Sequence, residues 1–174
     1  AIKGSLFSGL MNNGQTCVST TRVLLPADRY EEAVELATEY TRQLVVGDPA
    51  DLATDVGPLI SARQQQAVAA HVDKALDQGA KATVGAAIPD GTTGFYYLPT
   101  VLRDVTPDMD IARREVFGPV IALIAYDTVE DAIRIANDTD FGLAAAVWGA
   151  DVARATEVSD RLVAGLKWIN DVGQ

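Results

Sequence analysis

The sequence predicts an α/β domain of three layers, with helices on both faces of a mostly parallel sheet. Short β-rich runs alternate with helix-length amphipathic segments along the chain. The run Val120-Ile121-Ala122-Leu123-Ile124-Ala125-Tyr126 is continuously apolar, as a strand covered on both faces must be. The 174 residues contain no internal repeat or low-complexity tract, so residues 1–174 are read as one domain.

The elements follow in order. Ala1 to Phe7 resembles the middle of an amphipathic helix, with no initiating Met, capping residue or signal peptide, and the chain is expected to begin within a longer protein. Val23-Leu24-Leu25 is a strand stopped by Pro26. A helix is expected from Asp28, with Asp28 and Glu31 as a capping pair, Tyr30, Ala33, Val34, Ala37 and Leu44 as its apolar stripe, and Gly47 as its end. Ser61 followed by Gln64 is a capping box that opens a helix carrying Val68, Val72, Ala75 and Leu76, closed by Gly79. Gly91 to Gly94 is a turn, and Phe95 to Leu102 is aromatic and β-branched, which predicts a strand.

After the apolar run, a helix is expected near Thr128 with Val129, Ala132, Ile133 and Ala136 inward. A strand over Ala144 to Trp148, a helix from about Asp151 and a strand over Leu166 to Ile169 complete the alternation. Segments 47–58, 88–94 and 105–118 are expected to be irregular.

Charge and composition narrow the function. A formal net charge of −10 repels phosphate backbones and anionic lipid, and no apolar run is long enough to cross a bilayer. No nucleic-acid or membrane partner is therefore expected, and the ligand is expected to be a small molecule. Cys17 is the single cysteine, which excludes an internal disulfide or a cysteine zinc site and suits a reduced, cytoplasmic setting. No His, Cys or acidic cluster has metal-ligand spacing.

A lone cysteine is by default a small buried hydrophobe. Cys17, however, ends Asn12-Asn13-Gly14-Gln15-Thr16-Cys17, a polar turn between the first helix and the first strand. There a sulfur can be exposed and its own backbone N–H left free to donate to an oxyanion.

That segment, with Arg22 five residues on, resembles the cysteine signature of the aldehyde dehydrogenase superfamily. Glu115-Val116-Phe117-Gly118-Pro119 is similar to the superfamily's Glu-x-Phe-Gly-Pro segment and falls about a hundred residues later, as in that family. Gly57-Pro58-Leu59-Ile60, Leu98-Pro99-Thr100-Val101, Ala136 to Ala144 and Gly165 to Asn170 agree in order, so the resemblance covers nearly the whole chain.

The resemblance implies the fold of the family's catalytic domain and oxidation of an aldehyde to a carboxylic acid with NAD or NADP. Cys17 attacks the carbonyl to give a thiohemiacetal, hydride passes to the cofactor, and water, or coenzyme A in one branch, releases the thioester. Glu115 matches the carboxylate that binds the nicotinamide ribose, and Phe117 the aromatic beside it. Asn170 matches a residue near the substrate, with a turn role as its alternative.

The family's general base in a Glu-Leu-Gly-Gly segment, its second oxyanion donor and its dinucleotide fold have no counterpart here. Relatives continue past position 174 with more active-site loop and a strand used in subunit pairing. The full-length enzyme is expected to be a homo-oligomer, and the 174 residues alone are expected to be without turnover. Neither the aldehyde nor the choice between NAD and NADP is set by these residues; Phe7, Leu10 and Met11 hint at an apolar lining.

Two alternatives stand beside this reading. One is a thiol hydrolase or acyltransferase pairing Cys17 with His71, a histidine beside the stripe of the second long helix. The other is a non-catalytic domain that keeps only the fold. Arg113 and Arg114, next to Glu115, are expected to pair with Asp108 or Asp110.

Overall fold

Strand β4 (Val120–Tyr126) is the centre of the computed structural model, which describes residues 1–172. Strands β1 (Arg22–Pro26) and β3 (Thr100–Arg103) flank it in parallel, and β2 (Lys81–Val84) runs antiparallel on the outer side of β3. A second sheet is the parallel pair β5 (Ala144–Val147) and β6 (Leu166–Ile169). Among the described residues the strands thus form two mostly parallel sheets, where the sequence reading expected one.

Alternation along β4 divides the core into two layers. Ile121 and Leu123 pack with Val23, Leu25 and Val101 under α1 (Ile2–Leu10) and α2 (Tyr30–Arg42). Val120, Ala122 and Ile124 face the other way, against Val68, Val72 and Ala75 of α3 (Ala62–Asp77), Ile111 of α4 (Asp110–Arg113) and Ile135 of α5 (Val129–Asn137). Helix α6 (Val152–Asp160) packs on β5 and β6. Burying one Leu or Ile side chain contributes about 1.5–3 kcal/mol, which is why both faces of β4 are apolar.

Caps decide the helix limits. Ser61 accepts the N–H of Gln64 at 3.2 Å, the cap expected for α3, while Thr128 accepts that of Asp131 at 3.1 Å and Asp151 that of Arg154 at 3.1 Å, at the helix starts expected for α5 and α6. Gly79 follows α3 at φ +107, open to glycine and strained for other residues. Helix α2 differs from expectation. Asp28 lies in a short 3-10 turn, Ala27–Arg29, with no side-chain cap, and Glu31 instead pairs with Arg103. The helix ends at Arg42, not Gly47, and Val46 instead bridges to Val56.

Two short elements were not expected, β2 and the four-residue α4. The expected strand from Phe95 begins only at Thr100, because the carbonyls of Phe95 and Tyr96 are taken by the Leu59 N–H and the Gln65 side chain. Among the described residues no helix is long and apolar enough to cross a membrane, and no three His, Cys, Asp or Glu side chains gather as a metal site.

Candidate functional site

The thiol loop is built on a reversal of the chain after α1. Asn12, Asn13 and Gly14 have φ of 50°, 59° and 71°, three successive left-handed residues, a conformation that Asn tolerates better than other side-chain-bearing residues. Side chains hold the reversal in place. Asn12 donates to the Gln15 carbonyl at 3.0 Å; Asn13 accepts the Gly57 N–H at 2.7 Å and donates to the Pro58 carbonyl at 3.0 Å; Gln15 accepts the Ile60 N–H at 3.0 Å. The Gly57–Ile60 segment is therefore a bracket for the loop that carries the cysteine.

Cys17 sits at the tip of a turn closed by the Ser19 N–H donating to the Thr16 carbonyl at 3.0 Å. Its side chain is exposed, and its backbone N–H donates to no protein acceptor among the described residues. Behind it, Thr20 ties the loop to α1 through the Ser5 carbonyl at 3.1 Å. Arg22, the last residue of the signature, donates to the Ile135 carbonyl at 2.6 Å and joins β1 to α5.

The second loop arrives from α4. Arg114 is extended, Glu115 is exposed, and Phe117 takes φ of 54°, a left-handed conformation that is uncommon for an aromatic residue. Gln64 of α3 donates to the carbonyls of both Val116 and Phe117, at 3.0 and 2.9 Å. Beyond the turn, Pro119 accepts the Thr100 N–H at 2.8 Å and leads the chain into β4.

The two loops meet. Cys17, Glu115 and Phe117 line one small cleft of about 30 Å³, together with Gly14, Thr16, Ser19, Thr21 and Val116. Cys17 and Glu115 also border a larger groove of about 980 Å³ that runs between β1 and β5. The Glu115 carboxylate makes no protein hydrogen bond among the described residues, so both oxygens are free to accept from a ligand with adjacent hydroxyls, beside the half-buried ring of Phe117.

Other candidates lie elsewhere. Asn170, at φ of 55°, spends its amide on Gly149, accepting the N–H at 2.9 Å and donating to the carbonyl at 2.8 Å, and it lines neither cavity. His71 lies on α3 outside both cavities, where burial and the Arg114 cation hold its imidazole below the ordinary range. Arg113 pairs with Asp138 at 2.7 Å, not with Asp108 or Asp110, while Arg114 reaches Asp110 at 3.4 Å as expected. Leu10 is buried in the core, whereas Phe7 and Met11 are exposed. Sequence reasoning missed Gln64 as part of this region. Its place in the capping box was visible, but the direction of its amide was not.

An exposed thiol with an unclaimed N–H thus stands beside a carboxylate and an aromatic ring at the edge of the sheet of an α/β domain. The profile described as "Aldehyde dehydrogenase family" matches residues 1–174, and the chain belongs to that family. It is 41% identical over 172 residues to betaine aldehyde dehydrogenase 1 of Rhizobium meliloti (strain 1021), covering 98% of this chain and 35% of that protein. Among solved structures it is similar to a Mycobacterium tuberculosis aldehyde dehydrogenase complexed with NAD+, at TM-score 0.97 and 44% identity, covering 100% of this chain and 36% of the other. It is likewise similar to a mutant of aldehyde dehydrogenase C from Pseudomonas syringae complexed with NAD+ and octanal, at TM-score 0.97 and 38% identity, covering 100% and 36%. The chain spans about 35% of the length of the curated relatives it matches.

Proposed function

We propose that residues 1–174 are the catalytic-cysteine domain of an NAD(P)-dependent aldehyde dehydrogenase that oxidises a small-molecule aldehyde to a carboxylic acid. The observation that carries this reading is the shared cleft of Cys17, Glu115 and Phe117. Family membership and the NAD+ complexes of similar structures support it.

The chemistry of the chain's own groups follows. The Cys17 sulfur, as thiolate, adds to the aldehyde carbon; a C–S bond forms and the electron pair of the C=O bond moves to oxygen. The free Cys17 N–H donates to that oxygen, a contact worth about 3–4 kcal/mol in the transition state. Glu115 would accept from the ribose hydroxyls of the cofactor, and Phe117 would pack beside the sugar. The nicotinamide cofactor, when bound, supplies the two-electron oxidant that turns the thiohemiacetal into a thioester. Water then adds to the thioester carbon, the C–S bond breaks, and the Cys17 thiol is restored.

The family's Glu-Leu-Gly-Gly base has no counterpart among residues 1–174. In the full-length protein we place the enzyme in the cytoplasm as a homo-oligomer. Asn170, whose amide is spent on Gly149, is read as a turn residue. The hydrolase alternative finds no support in the geometry, because His71 lines neither cavity that Cys17 lines.

The test is formation of reduced nicotinamide by the full-length protein with a panel of aldehydes and NAD+ or NADP+. Cys17→Ser is expected to abolish it while leaving cofactor binding in place. Undiminished oxidation by the Cys17→Ser protein would overturn the assignment.

A further inference from the structure

We propose that Asn13 is a deamidation site gated by the joint that holds the thiol loop against the Gly57–Ile60 segment and Gly118. Closed, the joint withholds Asn13 from attack by the nitrogen of its own neighbour; once it opens, the conversion ends the native arrangement of the loop irreversibly. The site is a modification of the chain itself, and it stands apart from the reading of the cleft's chemistry.

Within residues 1–174 the reaction is invited at one asparagine. Of Asn12, Asn13, Asn137 and Asn170, Asn13 alone is followed by glycine. Glycine carries no side chain to hinder its own nitrogen, and its backbone turns the most freely. The Gly14 nitrogen adds to the side-chain carbonyl carbon of Asn13 and a C–N bond forms. The amide nitrogen leaves as ammonia, taking the proton that the Gly14 N–H gives up. Water then opens the five-membered imide at one of its two carbonyls. One opening leaves an aspartate at position 13, and the other an isoaspartate, in which the main chain runs through the side-chain carbon.

The closed joint blocks that attack in three ways. At φ 59 and ψ 31 the Gly14 nitrogen lies on the far side of the Asn13 Cα–C bond from the side chain, whereas ring closure needs both on one side. The carboxamide that must turn is held at both ends, accepting the Gly57 N–H at 2.7 Å and donating to the Pro58 carbonyl at 3.0 Å. Gly14 is buried against the Gly118 carbonyl, so its peptide has no room to swing. All three holds belong to the same joint, and one opening releases them together. The rate of deamidation therefore follows the fraction of time the joint is open.

Reclosing does not restore the converted loop. An aspartate carboxylate still accepts the Gly57 N–H, but it has no donor for the Pro58 carbonyl and sets a negative charge against it. An isoaspartate inserts a carbon into the main chain immediately before Gly14, where there is no space even for a Cβ. The Gly14–Gly118 contact is then lost. Cys17, carried by the same loop, is no longer held opposite Glu115.

The experiment ages the full-length protein at mildly alkaline pH and follows Asn12, Asn13, Asn137 and Asn170 by peptide mass mapping. It is run on native protein, on protein in denaturant, and on native Gln15→Ala, which lacks the acceptor of the Ile60 N–H and so loosens the joint without touching Asn13. In denaturant, Asn13 is expected to convert before the other three. Native protein is expected to convert it at least about ten-fold more slowly, and Gln15→Ala about five-fold faster than native wild type, the effect of one hydrogen bond on the opening equilibrium. Converted native protein, separated by its added negative charge, is expected to lose about ten-fold of the exchange protection of the Ser19 amide, which closes the Cys17 turn. Equal rates at Asn13 in native and denatured protein would overturn the proposal, as would an unchanged rate in folded Gln15→Ala. Failure of Asn13 to convert ahead of the other three in denaturant, or full Ser19 protection after conversion, would overturn it too. None of these readouts needs aldehyde oxidation, so they hold whether or not the dehydrogenase reading does.

Discussion

Gly14 of the thiol loop lies directly against the carbonyl of Gly118, the residue that follows the Glu115–Phe117 turn, with no space for a Cβ between them. Two motifs about a hundred residues apart in sequence are in contact through backbone alone. Gly14 is also left-handed at φ +71, so a side chain there meets both strain and overlap with backbone atoms that cannot rotate away. Gly14→Ala is expected to destabilise this region by about 3 kcal/mol or more, about 1 kcal/mol from the φ and the rest from the overlap. Local hydrogen exchange at the Thr16–Ser19 turn, read with the alkylation rate of Cys17, checks it; native protection of that turn in the variant would contradict the packing described.

Asn13 gives a second test of the same joint. Its amide satisfies the Gly57 N–H and the Pro58 carbonyl, and its φ of 59° is one that Ala adopts less readily. Asn13→Ala is expected to cost about 2–3 kcal/mol locally. Protection of the Gly57 amide against exchange should fall by at least about ten-fold. Unchanged protection would mean that the bracket does not depend on Asn13.

The contact between these loops explains what sequence could and could not disclose. That Cys17, Glu115 and Phe117 share a cleft was legible through motif spacing that carries over from a family, not through periodicity, which does not bring residues so far apart together. The apolar run of β4, the Ser61 cap and the helix starts near Thr128 and Asp151 were legible from local chemistry, since each depends on neighbours within a few positions. Strand β2 was hidden because an exposed four-residue edge, Lys81–Val84, needs no apolar alternation. The break between the β5–β6 pair and the larger sheet leaves no mark on the pattern of either strand. The destination of the Gln64 amide, and of Arg113 toward Asp138, depends on loops placed by the tertiary fold. A donor at the surface of a helix predicts a partner but not which one.

Tyr97 supplies an alkaline prediction. Its ring is 2% exposed in the layer beneath α3, and burial, reinforced by the charge of Asp73, pushes its phenol up to about 12. The unfolded chain releases that proton near the ordinary value of about 10, before the folded protein does. Stability from this group is therefore complete below about pH 10 and drains away as the pH rises toward 12, by up to about 2 kcal/mol. Tyr97→Phe should flatten the fall in denaturation midpoint over that window. A midpoint that falls as steeply in the variant would assign alkaline unfolding to other groups.

His71 gives the acid counterpart and also bears on the hydrolase alternative. Burial lowers its affinity for a proton, the Arg114 and Lys74 cations act in the same direction, and Asp110 only partly opposes them. The unfolded chain takes up that proton first as the pH falls below about 6.5, so stability from a neutral His71 is complete above that value and is lost below it. The ion-paired carboxylates of Asp104, Asp110 and Asp138 are held below their ordinary range and add their own loss only at lower pH, which leaves the interval from about 6.5 to 5 to the histidine. His71→Gln is expected to reduce the pH dependence of the denaturation midpoint across that interval while aldehyde oxidation by the full-length protein changes less than about two-fold. A histidine that served as base to Cys17 would give the opposite pair of results, an abolished rate with the same or greater pH dependence of stability. Measuring both quantities on one variant therefore separates a packing histidine from a catalytic one.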